Sequence, residues 1–521
     1  MVKSYSDYID EISADVLYDK LLSFGMFSDK LPPIFSSIQF AEFCKAGKSF
    51  DKRPFDYVRF DSMRNTNCPR QFGIPVPMAY ENMCSVLKKH WSDIQKHFGE
   101  KTEGQSHEIS RIHIQLGKND DGLFRMNYNG SDNSDSVMDN LRIGKRFVVK
   151  ADISNCFHSI YSHSIPWAAV GKSKAKYNKK RDENKWFNEI DEACRLMKSS
   201  ETHGLPIGPL SSNILSEVIL CTIDSELSKT WEYVRFIDDY VCFVESPEDA
   251  NRFIVALASE LARFDLSLNH KKTSIEKLPI ESMAKWKREL GGFDFSSSTG
   301  KIGYRRVCAF FDLAIELMKA NGENTAVLNY AIKMLEGKKL TDSAKVFCSR
   351  MSVHLCLLYP YLIPLMDRYV FECFEVPIHE IGSFANKAYS EGVSSLNYEE
   401  CCYSILLSLK YGFVITELEK KKSAGKPPMD DCTYMLCEFL YYKKHRNAKG
   451  VNRLIEKAKE LSSTDMDRNW FFVYEVLDIK DNPDEFSHME KEWRILKENG
   501  VSFLKPQYLS LLQNCSALDK S

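Results

Sequence analysis

The sequence predicts an α+β domain over residues 1–300, followed by an all-α region over 301–521. Three observations carry this. The chain has 521 residues, more than the roughly 250–300 at which one hydrophobic core stops growing. From 146 to about 245, β-type runs (RFVVKADIS, YVRFIDDYVCFV) bracket helix-type segments. Beyond about 305 come segments with apolar residues three or four apart, each ending at Gly, Pro or a polar cluster.

The first 145 residues mix short apolar pieces with turn-rich loops, including RPFDYVRFDSMRNTNCPRQFGIPVP, and the polar stretch at 127–140 reads as a surface loop. A strand from Phe147 to Ala151 ends on Asp152. Pro209 starts a helix whose apolar face holds Ile214, Leu215, Val218 and Ile219. Two apolar strands then meet at Asp238-Asp239. The later segments run FFDLAIELMKANG, TAVLNYAIKMLEG, AKVFCSRMSVHLCLLY, YEECCYSILLSLKYG, TYMLCEFLYYKKH, GVNRLIEKAKELSS and NWFFVYEVLD. Their spacing predicts a bundle or a HEAT-like helical repeat, although no fixed period recurs.

Composition narrows the function. Charged residues are 27% and hydrophobic ones 44%, as in ordinary globular proteins. Lys+Arg number 70 against 72 Asp+Glu, a formal net charge of -2, which excludes passive coating of nucleic acid. The N-terminus carries acidic residues where a signal peptide needs an apolar stretch, and no run reaches the roughly 18 apolar residues of a membrane span; 355–366 is shorter and holds two prolines. The 16 cysteines lie in apolar segments without CxxC spacing, so buried thiols in a reduced cytoplasm are expected, the Cys401-Cys402 pair among them.

Asp238-Asp239 between two apolar strands is unusual, because Asp is depleted from strands and adjacent carboxylates repel. A plain Asp-Asp turn is one reading. Asp152, delivered by another strand end, supports the other: an oxygen-rich site for Mg²⁺, which takes few carboxylates plus substrate phosphates. Two such ions activate a 3′-hydroxyl and clamp departing pyrophosphate.

These residues resemble the ordered motifs of reverse transcriptases. Asp152-Ile153-Ser154-Asn155-Cys156-Phe157 is similar to motif A. Gly204-Leu205-Pro206-Ile207-Gly208-Pro209 with Ser211 to Glu217 is similar to motif B, and Phe236-Ile237-Asp238-Asp239 to motif C. Leu268 to Thr273 resembles motif D, Leu290-Gly291-Gly292-Phe293 motif E, and Arg70 to Pro75 the fingers segment, so the likeness spans about 55–300. Within it, Ser159 to Ala168 resembles the extension of bacterial abortive-infection reverse transcriptases, the AbiK-like and prophage-encoded phage-defence enzymes. Thr202-His203-Gly204 is likewise similar to their motif B.

The resemblance implies fingers and palm over 1–300, a helical-repeat domain after them, homo-oligomers, and DNA made without a template from a protein tyrosine. It implies that Asp152, Asp238 and Asp239 hold two Mg²⁺, or Mn²⁺ in substitution, and that Lys272 protonates pyrophosphate. Arg70 would grip the triphosphate, Phe157 would exclude a ribose 2′-hydroxyl, and Gly204 and Gly208 would let backbone approach the nascent pair. Ile207 stands where many templated enzymes carry a polar residue. Lys271-Lys272 also reads as a solvated pair, and Phe157 as a core aromatic.

The priming tyrosine should sit on a mobile segment, and of Tyr5, Tyr8 and Tyr18 the choice is Tyr8. Lys172 to Arg181 packs six cations and a tyrosine into ten residues, suited to a single-stranded product or to a solvated loop. Lys443-Lys444-His445-Arg446 with Lys449 could extend that path. Arg350 and His354 are read as structural.

The leading function is therefore an antiphage DNA polymerase in the bacterial cytoplasm, away from membranes, taking dNTPs and carrying its single-stranded DNA product covalently. The alternatives are a retron-like templated enzyme with a bound RNA and a catalytically silent phage-sensing scaffold.

Overall fold

The computed structural model describes residues 5–47, 50–111, 114, 134–177, 185–281, 283–298, 300–420 and 430–513. Two antiparallel sheets organise the first half. One is a hairpin of β1 (Tyr57–Met63) and β2 (Pro69–Pro75). The other has four strands, β3 (Phe147–Asp152), β4 (Tyr233–Phe236), β5 (Asp239–Val244) and β6 (Ser274–Lys277), in the order β4-β5-β3-β6.

The hairpin lies where turn-rich loops were expected. Helices cover β1, so burial hides the alternation that marks a half-exposed strand. Likewise, 134–140 belongs to a helix, Ser134–Arg142, with Arg142 in its last turn at the negative end of the dipole; residues 127–133 of that expected loop lie outside the described residues. The segment that resembles motif E closes the short helix Lys285–Gly291, and Phe293 packs on Phe310 at 5.1 Å between centroids.

The helix Leu210–Leu227 begins after Pro209 and is buried nearly all round, as a helix in the middle of a core must be. It packs on the helices Trp91–Thr102, Ser164–Val170 and Pro247–Ala262.

Beyond 300, Tyr304–Ala320, Ala326–Met334, Asp342–Leu358, Ile378–Ser395, Tyr398–Tyr411, Cys432–Lys444, Ala448–Thr464 and Met466–Val476 pack largely in sequence. These are stacked helices, but a regular HEAT-like repeat is not evident in them. Helix lengths run from 9 to 18 residues, and a π-helical stretch, Met366–Glu372, interrupts them. All described cysteines are free, Cys401 and Cys402 fully buried. Among the described residues no helix is long and apolar enough to cross a membrane.

The helical region grips the small hairpin, and one hydrophobic cluster runs across the 300/301 division. Helices Tyr398–Tyr411, Cys432–Lys444 and Met466–Val476 all pack on β1. Buried Glu399 accepts hydrogen bonds from Ser62 Oγ (2.8 Å) and the Met63 amide (2.7 Å). Asp467 accepts from Arg53 (3.2 Å) and the Asp56 amide (3.0 Å). Near the C-terminal end, the Lys505 amide donates to Ile34 O at 2.8 Å, and Ser36 donates to Phe503 O at 2.8 Å.

Burial pushes the Glu399 carboxyl up to about 7, against two hydrogen bonds that favour its charged form. Between its ordinary 4.5 and 7 the folded chain holds a proton that the unfolded chain has released. Stability from this group is thus fully present below the lower value and is lost as pH rises through the upper one, by about 3 kcal/mol. The melting temperature of the wild type relative to Glu399→Gln should fall between about pH 5 and about pH 8; a difference independent of pH would contradict this.

Candidate active site

The site is built on a tight turn. Ile237 and Asp238 link β4 to β5, and Ile237 has φ +58°, a left-handed conformation that is costly for a β-branched residue. Arg235, with no exposed surface, holds that turn by donating Nη1 to Ile237 O at 2.9 Å. Its other donors reach Glu217 (2.9 and 3.1 Å) and Asp224 (2.6 and 2.9 Å), both on the buried helix Leu210–Leu227. Tyr233 adds a bond to Asp224 at 2.7 Å. Burial alone would raise Glu217, but the Arg235 guanidinium overrides it and holds the carboxyl below its usual range. At Asp224 burial prevails and the carboxyl is pushed up.

The ladder then gathers the carboxylates. Asp152 pairs with Asp239 in the β3–β5 register, and the Ile153 amide donates to Asp238 O at 3.1 Å. Burial and then the Asp152 charge push Asp238 up. Asp239 is the most open of the three, yet partial burial followed by the Asp238 and Asp152 charges pushes it up to about 7. Asp152 is buried and held on both oxygens, by Asn269 Nδ2 on Oδ1 (2.9 Å) and Lys272 Nζ on Oδ2 (2.6 Å).

The residues fit a hard divalent cation on one ground: three carboxylates converge at one end of the sheet, where the Asp152 charge helps to push Asp238 and Asp239 up. As they stand, no group of three His, Cys, Asp or Glu among the described residues is arranged to hold a metal. Lys272 supplies the counter-charge at Asp152 instead.

The remaining candidates surround this cluster. Arg70, exposed on β2, lies close enough to lower Asp238 through its charge, as does Lys272. Phe157 is half-buried in the short helix Cys156–Ser159, and its carbonyl accepts from Leu205 N at 2.7 Å. Gly208 has φ +127°, and a Cβ there would lie 3.2 Å from Gly73 O; the Gly73 amide in turn donates to Ile207 O at 2.8 Å. The close approach at Gly208 is therefore first of all to the β1–β2 hairpin. At Gly204, φ +86°, a Cβ would meet His158 O at 2.9 Å.

Tyr8 lies on the helix Tyr5–Asp10, packed against Trp91–Thr102, and takes no part in the contacts just described. Tyr18 is buried with its hydroxyl on Glu81 at 2.8 Å, and burial pushes its phenol well up, which makes it a poor nucleophile. The Tyr5 side chain and residues 178–181 of the basic stretch lie outside the described residues. In the second basic cluster, Lys444 donates to Leu409 O and His445 stacks on Tyr441 at 4.3 Å. Arg350 pairs with Glu380 at 3.6 Å.

Residues 106–290 match the family model described as reverse transcriptase (RNA-dependent DNA polymerase). That stretch is a polymerase domain of the reverse transcriptase kind, a nucleotidyltransferase. No curated protein matches the sequence. Solved structures with some likeness include apo telomerase of Candida tropicalis truncated from the C-terminal domain (13% identity, 46% of this chain and 54% of that one, TM-score 0.30). Another is apo telomerase of Candida tropicalis (11% identity, 77% and 74%, TM-score 0.31). A third is telomerase of Candida albicans with a fragment of telomeric RNA (10% identity, 87% and 65%, TM-score 0.30). The chain spans about half the length of the first of these, and at such scores the likenesses carry no functional argument.

Sequence reasoning missed Arg235 and Asp224, and gave Glu217 and Asn269, inside the stretches similar to motifs B and D, no role of their own. A signal existed for the first three: Glu217 and Asp224, seven apart, flank the apolar run Val218–Ile223 of one helix and would need a cation if buried, and Arg235 is the one charge inside the run Tyr233–Phe236. Arg235→Met would leave both acids uncompensated and should cost about 3–5 kcal/mol in urea unfolding. A loss below about 1 kcal/mol would contradict this role for Arg235.

Proposed function

We propose that this chain is a DNA polymerase of reverse transcriptase type that adds dNTPs to a tyrosine of its own chain without a template, as an abortive-infection effector against phage. One observation carries the polymerase part: Asp152, Asp238 and Asp239 converge at one sheet end, with Arg70 and Lys272 beside them. The resemblance of Ser159 to Ala168 to the abortive-infection extension, together with a helical region after the polymerase, supports the finer part. Homo-oligomers and a bacterial cytoplasmic setting come with the same reading.

Asp152 and Asp238 would hold two Mg²⁺, with Asp239 completing the set. When bound, the ions lower the pKa of the attacking hydroxyl and neutralise the leaving pyrophosphate. The guanidinium of Arg70 forks onto the triphosphate. Lys272, once released from Asp152, gives its proton to the pyrophosphate oxygen. The Phe157 ring fills the space a 2′-hydroxyl would need. Tyr8 is the proposed primer.

Purified protein given dNTPs and Mg²⁺ without nucleic acid should yield a DNase-sensitive ladder linked to the protein, abolished by Asp238→Ala/Asp239→Ala. Mass spectrometry should find nucleotide on Tyr8. The family's RNA-dependent description favours a second reading, templated synthesis on a bound RNA; activity lost on RNase treatment would select it and reject the untemplated one. Phe157→Ala should admit ribonucleotides in the same assay, and unchanged sugar selectivity would reject its role as a gate.

A further inference from the structure

The geometry points to a stacking site for single-stranded nucleic acid on the outer face formed by Tyr161, His163, Trp167 and the helix Lys172–Tyr177. It rests on the polymerase reading, since that strand is the class of polymer the neighbouring carboxylates would make.

The helix Ser164–Val170 turns Ile165, Pro166 and Ala168 inward. His163 and Trp167, four residues apart, share the opposite face with Tyr161, and all three are only partly buried. Tyr161 lies 4.8 Å from the His163 ring and 5.6 Å from Trp167. His163 is fixed by Asp191 at 2.6 Å, and Asp191 is itself buried. The rings thus form a held, contiguous strip rather than scattered surface aromatics.

Cations border the strip. Lys172 Nζ sits 3.8 Å above the Trp167 ring. The following helix buries no residue, carries Lys172, Lys174 and Lys176 without an acid, and ends on Tyr177, which is 95% exposed. Lys172 also approaches Asp265, at 3.8 Å. Rings for base faces beside ammonium groups for phosphates are what a single strand requires and a stacked duplex cannot use.

The strip joins the active site through backbone. Phe157 O accepts from Leu205 N and Ile160 O from Gly204 N, both at 2.7 Å. The Ser162 amide donates to Thr202 O at 2.7 Å, and Tyr161 forms a bridge with His203. The segment that runs from Phe157 into the strip and the loop leading to Gly208 are therefore laced together.

The test is fluorescence anisotropy of a labelled oligothymidylate on the full chain, with EDTA and no dNTPs. Tyr161→Ala/Trp167→Ala should weaken binding roughly tenfold or more, while Trp167→Phe keeps most of it. Lys174→Ala/Lys176→Ala, on fully solvated positions, should reduce the slope of log affinity against log salt by roughly 1 to 1.5. A duplex of the same length should bind more weakly than the single strand. The proposal is overturned by a Tyr161→Ala/Trp167→Ala protein that keeps both its melting temperature and wild-type affinity, by equal binding of the duplex, or by no oligonucleotide binding to the wild type. The polymerase reading is scored separately: absent nucleotide incorporation with oligonucleotide binding intact rejects that reading and leaves the stacking site standing.

Discussion

A guanidinium with no access to water needs counter-charges, and in this chain the need fixes the geometry of the polymerase domain. Arg235 reaches Glu217 and Asp224 on one side and the Ile237 carbonyl on the other. Without it the helix Leu210–Leu227 would bury two carboxylates uncompensated, and the turn presenting Asp238 would lose the bond that holds Ile237 in a left-handed conformation. The main chain of Arg235 is used as well: its amide donates to Ile109 O at 2.8 Å, and its carbonyl accepts from Arg111 N at 2.7 Å. One residue thus ties helix, hairpin and an added edge segment together. Given that anchor, strand register does the rest, since a slip of one residue would turn Asp239 away from Asp152.

The hairpin carrying Arg70 is held from two directions. The loop before Pro209 fastens β2 through Gly73 and Ile207. Glu399, from the helical region, fastens the end of β1 through Ser62 and Met63. The position of Arg70 near Asp238 is therefore set jointly by the loop before Pro209 and by helices more than three hundred residues away in sequence. This gives the helical region a structural part in positioning the β1–β2 hairpin.

What could be read in the sequence was local. The strand ending on Asp152, the Asp238-Asp239 turn and the helix after Pro209 each carry their signal within a few residues. The same holds for most later helices, where apolar spacing and terminal glycines mark the ends. Ile378–Ser395 was passed over because Gly382, Gly392 and several serines dilute its apolar face. What could not be read depends on distant partners. Tyr18 stood among the candidate primers beside Tyr8, but its hydroxyl is bound to Glu81, 63 positions on. Gly208 suggested room for a nucleotide, whereas its tightest neighbour is the Gly73 carbonyl. The β1–β2 hairpin was masked because its cover comes from the other half of the chain.

In the proposed divalent-cation site of Asp152, Asp238 and Asp239, Lys272 now pairs with Asp152. The most direct measurement is Mn²⁺ binding followed by electron paramagnetic resonance in the presence of a non-hydrolysable dNTP analogue. Bound Mn²⁺ should be lost in Asp152→Asn and Asp238→Asn proteins that keep the wild-type melting temperature. Equal Mn²⁺ binding by the wild type and both variants would contradict the account.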